Sequence, residues 1–386
     1  MKLKNYIYGV VLGTLSLAYT SCYNKDKDFP DYDGGTKAYF AYQNPIRTLV
    51  LGNDIYDNSL DNAHKCRIWA TMGGAYGGRD AYVNFIVDES LCIDPITGDT
   101  LLWFLDDGNY PSRPVLPMPK KYYTLLSDVI PYNGDSRGYV EVQFTDDFFK
   151  DPKTSSQDTT YVIPLRMTGV SGIDAIFTGT PNIANPVHTN PQDWAESPKD
   201  YVLYCVRYMN PWQGKYIRRG VDMVTENGGE PTKVVRKDFS LYNSDVAHYS
   251  KMDPSNPVNQ NDEVCGIKTK NMTQAIFPVS FKTSGASISC NLILTFSGDK
   301  CTISTDDENV TATGEGEFIT KGTERSEYKD YQWGSINGEL VQRDILRLQY
   351  NVNFADKNIQ VATNDTLVVQ TREANKKEFF NYKYIK

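Results

Sequence analysis

The sequence predicts an all-β chain of two units in series, a β-sandwich followed by a β-barrel. Three observations carry this. The 386 residues leave room for about two domains of roughly 150 residues each. Aromatic residues make up 12% of the chain, with 27 Tyr, 16 Phe and 5 Trp, and such side chains pack well on a pleated surface. Segment after segment alternates apolar and polar residues, cut by clusters of Gly, Pro, Asn and Asp.

The first 36 residues stand apart from both units. Lys2 and Lys4 precede an apolar stretch from Tyr6 to about Tyr19. It is too short to span a bilayer, which takes about 20 apolar residues, and suits the h-region of a secretory signal. It ends in Leu17-Ala18-Tyr19-Thr20-Ser21-Cys22. A small residue directly before Cys at that point resembles a bacterial lipobox. Residues 1–21 therefore read as a lipoprotein signal peptide and Cys22 as the lipidated residue. The alternative is ordinary cleavage with Cys22 as a bystander. Residues 22–36 are polar and acidic and read as a flexible tether. Cleavage would remove Lys2 and Lys4 and no acid, leaving 38 basic and 48 acidic residues.

Residues 37–170 form the expected sandwich. Cys66, Ile68, Ala70 and Met72 share one face of a strand, and Ala81, Val83, Phe85 and Val87 share another. Val140, Val142 and Phe144 follow, then Tyr161, Ile163, Leu165 and Met167. Asp146–Lys150 reads as a single helical turn. Residues 171–199 are rich in Gly, Pro and Asn and read as an interdomain connector. Residues 200–386 supply about eight to ten further strands, from Tyr201–Tyr208 to Thr366–Thr371, which points to an up-and-down barrel without exposed edges.

Six Cys follow Cys22, at 66, 92, 205, 265, 290 and 301. A turn centred on Gly298-Asp299 sets Cys301 opposite Phe296 and Cys290 opposite Asp307, so these two do not meet. Cys66 and Cys92 flank a hairpin without meeting either. The thiols read mostly as buried small hydrophobes. There is no C-x-x-C, and hence no zinc-knuckle or thioredoxin-like motif.

Several segments resemble a family. Ile68-Trp69-Ala70-Thr71-Met72-Gly73-Gly74, Arg79–Asp88, Lys121-Tyr122-Tyr123 and Tyr161–Met167 are similar to an N-terminal module of Bacteroidota surface lipoproteins from polysaccharide-utilisation loci. Asn210-Pro211-Trp212-Gln213-Gly214-Lys215-Tyr216-Ile217-Arg218-Arg219-Gly220 resembles the opening of a C-terminal barrel on such lipoproteins, often labelled adhesins. The acids after Cys22 resemble their surface-export signal. The resemblance implies an immunoglobulin-like β-sandwich followed by a lipocalin/calycin-like β-barrel. It implies no catalytic residues.

Enzyme signatures are missing from the sequence. It has no H-E-x-x-H, G-x-S-x-G, Walker A or EF-hand loop, and three His in all (His64, His188, His248). The formal net charge of −8 is opposite to the basic footprint of a nucleic-acid binder. Adjacent acids at Asp106-Asp107, Asp146-Asp147 and Asp306-Asp307 read as solvated turns. A glycosidase pair must face across a cleft about 5–9 Å wide. Asp306, Asp307, Glu308, Glu315 and Glu317 could instead gather calcium. Asp-Thr triplets at Asp99, Asp158 and Asp365 resemble O-glycosylation acceptors, and Thr159 is the best placed.

Sugar binding without catalysis uses flat aromatic faces with polar groups at their edges. Aromatics in turn-rich segments are the candidates: Trp333, Tyr331 and Tyr328 in one stretch, Trp194 in the connector, and Trp103 with Tyr110 around Asp106–Asn109. Trp69 and Trp212 read as core or barrel-closing residues. The expected function is a non-catalytic, lipid-anchored glycan-binding protein of the outer-membrane cell surface. It would take no cofactor and pass oligosaccharide to an outer-membrane transporter complex. The alternatives are an adhesin or structural lipoprotein that binds protein or host matrix, and a carrier with a ligand inside the barrel.

Overall fold

A computed structural model describes residues 32–106, 110–235, 263–325, 335–336, 339–372 and 377–386. In the first unit two sheets face each other. One runs in the order Ala175–Ile176, Lys37–Tyr39, Lys65–Gly73, Arg137–Phe144, Tyr123–Leu125. The other runs Glu378–Phe379, Pro45–Val50, Tyr201–Met209, Tyr161–Ser171, Tyr82–Val87, Val129–Pro131. The alternation seen in the sequence aims Cys66, Ile68, Ala70, Val140 and Val142 at Val83, Phe85, Ile163, Leu165 and Val202, and these form one buried core. Asp146–Lys150 is a helical turn, as its sequence predicts.

A third layer lies on the far side of the second sheet. Leu102–Asp106, Tyr110–Pro114 and Tyr382–Tyr384 form a small sheet. Its Leu102 and Phe104, with Phe380, close a second core over Val162, Leu203 and Cys205. The strands between the two cores are therefore buried on both faces. This is why 201–209 is almost wholly apolar rather than alternating.

That burial corrects the domain boundaries. Residues 201–209 belong to the sandwich and not to the barrel: they pair antiparallel with 161–171 and parallel with 45–50. Residues 171–199 are thus an excursion within the first unit rather than an interdomain connector, and within it Ala175–Ile176 pairs with Lys37–Tyr39. The C-terminal residues leave the barrel as well. Glu378–Phe379 pairs with 45–50, and Tyr382–Tyr384 with 102–106.

The barrel has eight strands in chain order: Gly214–Glu226, Glu263–Thr269, Gln274–Phe281, Ile288–Ser297, Lys300–Ser304, Val310–Ile319, Ile345–Phe354 and Ile359–Thr371. The last pairs with the first from Lys215↔Thr371 to Glu226↔Ile359, which closes the sheet. The expected up-and-down barrel is what forms. Its interior is filled by side chains such as Tyr216, Phe277, Phe281, Leu292, Leu348 and Tyr350. Trp212 is buried at one end, stacked on Phe296 with centroids 3.7 Å apart. A Cβ on Gly316 would lie 2.5 Å from Leu348 Cδ2 and 2.8 Å from Cys301 Sγ, so glycine is needed for these side chains to cross the lumen.

A charged group sits inside this core. Arg218 is fully buried, and its Nε donates to Asp365 Oδ2 at 3.0 Å. Its other nitrogens reach Glu263 Oε1 at 2.8 Å and the Tyr350 hydroxyl at 3.0 Å. Tyr350 in turn donates to Asp365 at 2.8 Å. Burial alone would push the Arg218 pKa down; Tyr350, Asp365 and Glu263 outweigh it and hold the pKa well above the usual value. Phe277 and Phe281 stack within 6 Å of the guanidinium, at 5.4 and 5.6 Å.

Cys301 pairs with Phe296 as the turn predicts, and all six cysteines are free and buried. Burial pushes the thiols of Cys66, Cys205, Cys290 and Cys301 up to about 12. Among the described residues, no helix is long and apolar enough to cross a membrane.

Two outcomes are expected. Arg218→Leu should lower unfolding stability by about 3–5 kcal/mol in denaturant titration, because it leaves a buried carboxylate without its cation. Replacing Asp365 with Leu in the same protein should recover part of that loss. Ellman's reagent at pH 8 should label none of these six thiols in the native protein and all six in guanidinium.

Candidate functional site

Among the described residues, the aromatics picked from the sequence fall in two separate sheets. Tyr328, Tyr331 and Trp333, like Cys22, lie outside the described residues. Trp194 is half-buried in a two-stranded sheet with Thr180–Pro181, and its indole N–H donates to the Val187 carbonyl at 2.9 Å. Trp103 is half-buried in the small third-layer sheet, between Pro114 and Lys383. Tyr110 is 77% exposed in that sheet, at the Asp106 end of the hairpin. Trp194 thus belongs to a different sheet from Trp103 and Tyr110. Each of the two tryptophans is held by its own local packing.

An aromatic pair with an exposed member lies elsewhere. The inner residues of 65–73 and 137–144 fill the core, so the residues between them face outward. Trp69 and Tyr139 are cross-strand partners on this outer face. Trp69 is 44% exposed, which corrects its reading as a core residue. The rings lie 4.7 Å apart at 52°, forming an open V rather than a flat stack. Arg137 lies 5.5 Å from the Trp69 ring and Arg67 lies 4.3 Å from the Tyr139 ring. Lys65 donates to Glu141 Oε1 at 2.7 Å beside them. That hydrogen bond and the two neighbouring cations outweigh desolvation and hold the Glu141 carboxyl below its usual range. Apolar ring faces edged by fixed donors and acceptors suit a sugar ring, which is apolar on its faces and hydroxylated at its rim.

A signal for Trp69 was present in the sequence. The alternation that aims Cys66, Ile68, Ala70 and Met72 inward aims Trp69 outward by the same rule. The expectation for Thr159 is corrected in the other direction: it is buried, and its Oγ1 accepts from Arg207 at 3.2 Å. Asp306 pairs with Lys270 at 2.6 Å, and Asp307 accepts the Asn291 N–H at 3.0 Å. Among the described residues, no group of three or more His, Cys, Asp and Glu is placed to hold a metal ion. The packed lumen gives no support to the carrier reading.

Residues 211–373 match a family model described as a domain of unknown function, DUF5627. Residues 32–174 match a model described as an N-terminal domain. No curated protein matches the chain. A solved structure from Bacteroides ovatus, described as a structural-genomics protein of unknown function, is similar throughout. It has 39% sequence identity and a TM-score of 0.74, and the match covers 92% of this chain and 100% of that one.

Proposed function

The chain belongs to the same family as the Bacteroides ovatus protein, and within that family we propose that it is a non-catalytic, cell-surface glycan-binding protein. Lipid on Cys22 would anchor it at the outer membrane. The expected 22–36 tether ends sooner, because the Tyr32 N–H donates to the Gly74 carbonyl and buried Thr36 donates to Asp174 from its N–H at 2.7 Å and its hydroxyl at 2.8 Å. Bound oligosaccharide would then pass to an outer-membrane transporter complex. The observation that supports this reading is the Trp69–Tyr139 pair on the outer face of its sheet, with Trp69 exposed and Tyr139 half-buried. Two aromatic rings side by side among charged residues on a sheet face offer a platform that the apolar face of a sugar ring fits. Arg137 and Arg67 lie beside the rings, and Glu141 is held on the same face by Lys65. One such patch binds weakly, and many anchored copies on one cell raise the effective affinity.

The test is a glycan panel against the purified protein, by affinity electrophoresis and then calorimetry. Saturable binding is expected for at least one glycan. Trp69→Ala should weaken it at least tenfold, about 1.4 kcal/mol. The same substitution should move the unfolding midpoint by no more than a few degrees, because the ring is half in solvent (about 0.5 kcal/mol for a surface change). Loss of Trp69 without effect on any bound glycan would remove this site. No binding across the panel would favour a protein partner, as an adhesin requires.

A further inference from the structure

A second surface lies where the sandwich meets the barrel. The two units are joined there by specific bonds. Arg372 donates to Leu51 O at 3.0 Å, Asn53 O at 2.9 Å and Asn210 O at 2.7 Å. The Asn210 N–H donates to Thr269 Oγ1 at 2.9 Å, and Gln213 Oε1 accepts from the Thr269 N–H at 2.9 Å and from Ser156 Oγ. Around these bonds the surface opens into a cleft of about 580 Å³, within the usual range for small-ligand sites.

The lining is strongly basic in an acidic protein. Arg47, Arg207, Lys215, Lys268, Arg372 and Lys377 line the cleft against one carboxylate, Glu378. Arg47 is set against Asp61, Arg207 against Glu378, and Asp54 and Asp344 lie near Arg372; Lys268 and Lys377 at the exposed rim leave positive charge in excess. Arg207 is fixed in place as well, with its Nε on Thr48 Oγ1 at 3.0 Å and a second nitrogen on Thr159 Oγ1 at 3.2 Å. Arg372 is buried, and its Nε–H has no hydrogen-bond partner among the described residues. Burial pushes its pKa down, so the charge is held there against a desolvation cost. A concave cluster of like charge focuses potential and draws in ligands of opposite sign.

The neighbouring surface is aromatic. Lys377 Nζ lies 5.8 Å from the Tyr42 ring. Tyr42 packs on Phe379 at 4.9 Å, and both rings are about half exposed. Cations beside open aromatic faces match a saccharide that carries anionic groups: the ring faces meet the aromatics, and the anions meet the guanidinium and ammonium groups.

We propose that the interdomain cleft is a binding site for an anionic oligosaccharide, one bearing carboxylate or sulfate groups. This rests on the glycan-binding reading and names its ligand class, but it uses residues separate from Trp69 and Tyr139.

Calorimetry on the purified protein tests it with three probes of equal length: an oligogalacturonate, a heparin hexasaccharide and a neutral cello-oligosaccharide. At least one anionic probe should bind saturably, and more weakly as salt rises. The double variant Lys268→Glu/Lys377→Glu should weaken that binding at least 30-fold. Both lysines are exposed, so its circular dichroism spectrum and unfolding midpoint should match those of the parent. Trp69→Ala should leave binding of the anionic probe in place. Binding of the galacturonate shows that carboxylates suffice, whereas binding of heparin alone, which carries both groups, shows that sulfate is required. Anionic binding that ignores the charge reversal overturns the cleft. Binding of the neutral probe alone, lost in Trp69→Ala, overturns the cleft and leaves the glycan reading standing. No binding of any probe here or in the wider panel overturns both.

Discussion

The Tyr201–Met209 strand is bonded along both edges and buried on both faces. Val202, Val206 and Tyr208 point into the core shared with the outer sheet, while Tyr201, Leu203 and Cys205 point into the core under the third layer. The strand holds 45–50 and 161–171 in one sheet, and the 45–50 strand in turn receives Glu378–Phe379 from the C-terminal end. The barrel begins five residues after this strand ends, at Gly214. The barrel is therefore bound to the sandwich near both of its ends. That double attachment, with Arg372 bonded across it, shapes the junction and its cleft.

The barrel meets a different constraint. Eight strands enclose a lumen just wide enough to be filled by side chains. Large residues need small ones beside them on the neighbouring strand, and Gly314 and Gly316 supply that room for Tyr350 and Leu348. Arg218 brings a cation into this largely apolar core. Its charge is matched by Asp365 and Glu263, and its flat face is covered by Phe277 and Phe281. A buried ion pair of this kind is weak as a source of stability but strict about register, because a shifted strand would leave a charge alone. It joins the first barrel strand to the last through Arg218 and Asp365, at the seam where the barrel closes.

The two candidate surfaces differ in origin. The Trp69–Tyr139 pair is a property of one sheet and its register, and the nearby cations belong to the same two strands. The basic cleft is a property of assembly. Its residues come from sequence positions as far apart as Arg47 and Glu378, and no stretch of the chain is basic enough to announce it. Placing cations together in a chain of net charge −8 requires that acids be distributed elsewhere, so overall charge hides a local field of opposite sign.

Period-two alternation was enough to determine an all-β chain, the inward faces of its strands, the 298–299 turn and the succession of barrel strands, because each follows from contacts near in sequence or from the pleat itself. The same alternation also determined that Trp69 faces outward, although its aromatic character argued for the core. Tertiary structure decided what local pattern cannot express. Strand 201–209 looks like the start of a new unit because it follows a Gly- and Pro-rich stretch, yet its two apolar faces need two cores and only the sandwich provides them. The third layer, the return of the C-terminal residues and the basic cleft all depend on pairings across more than 100 residues. Side-chain period carries no record of such partners; they are fixed only when burial and hydrogen bonding are satisfied for the whole chain at once.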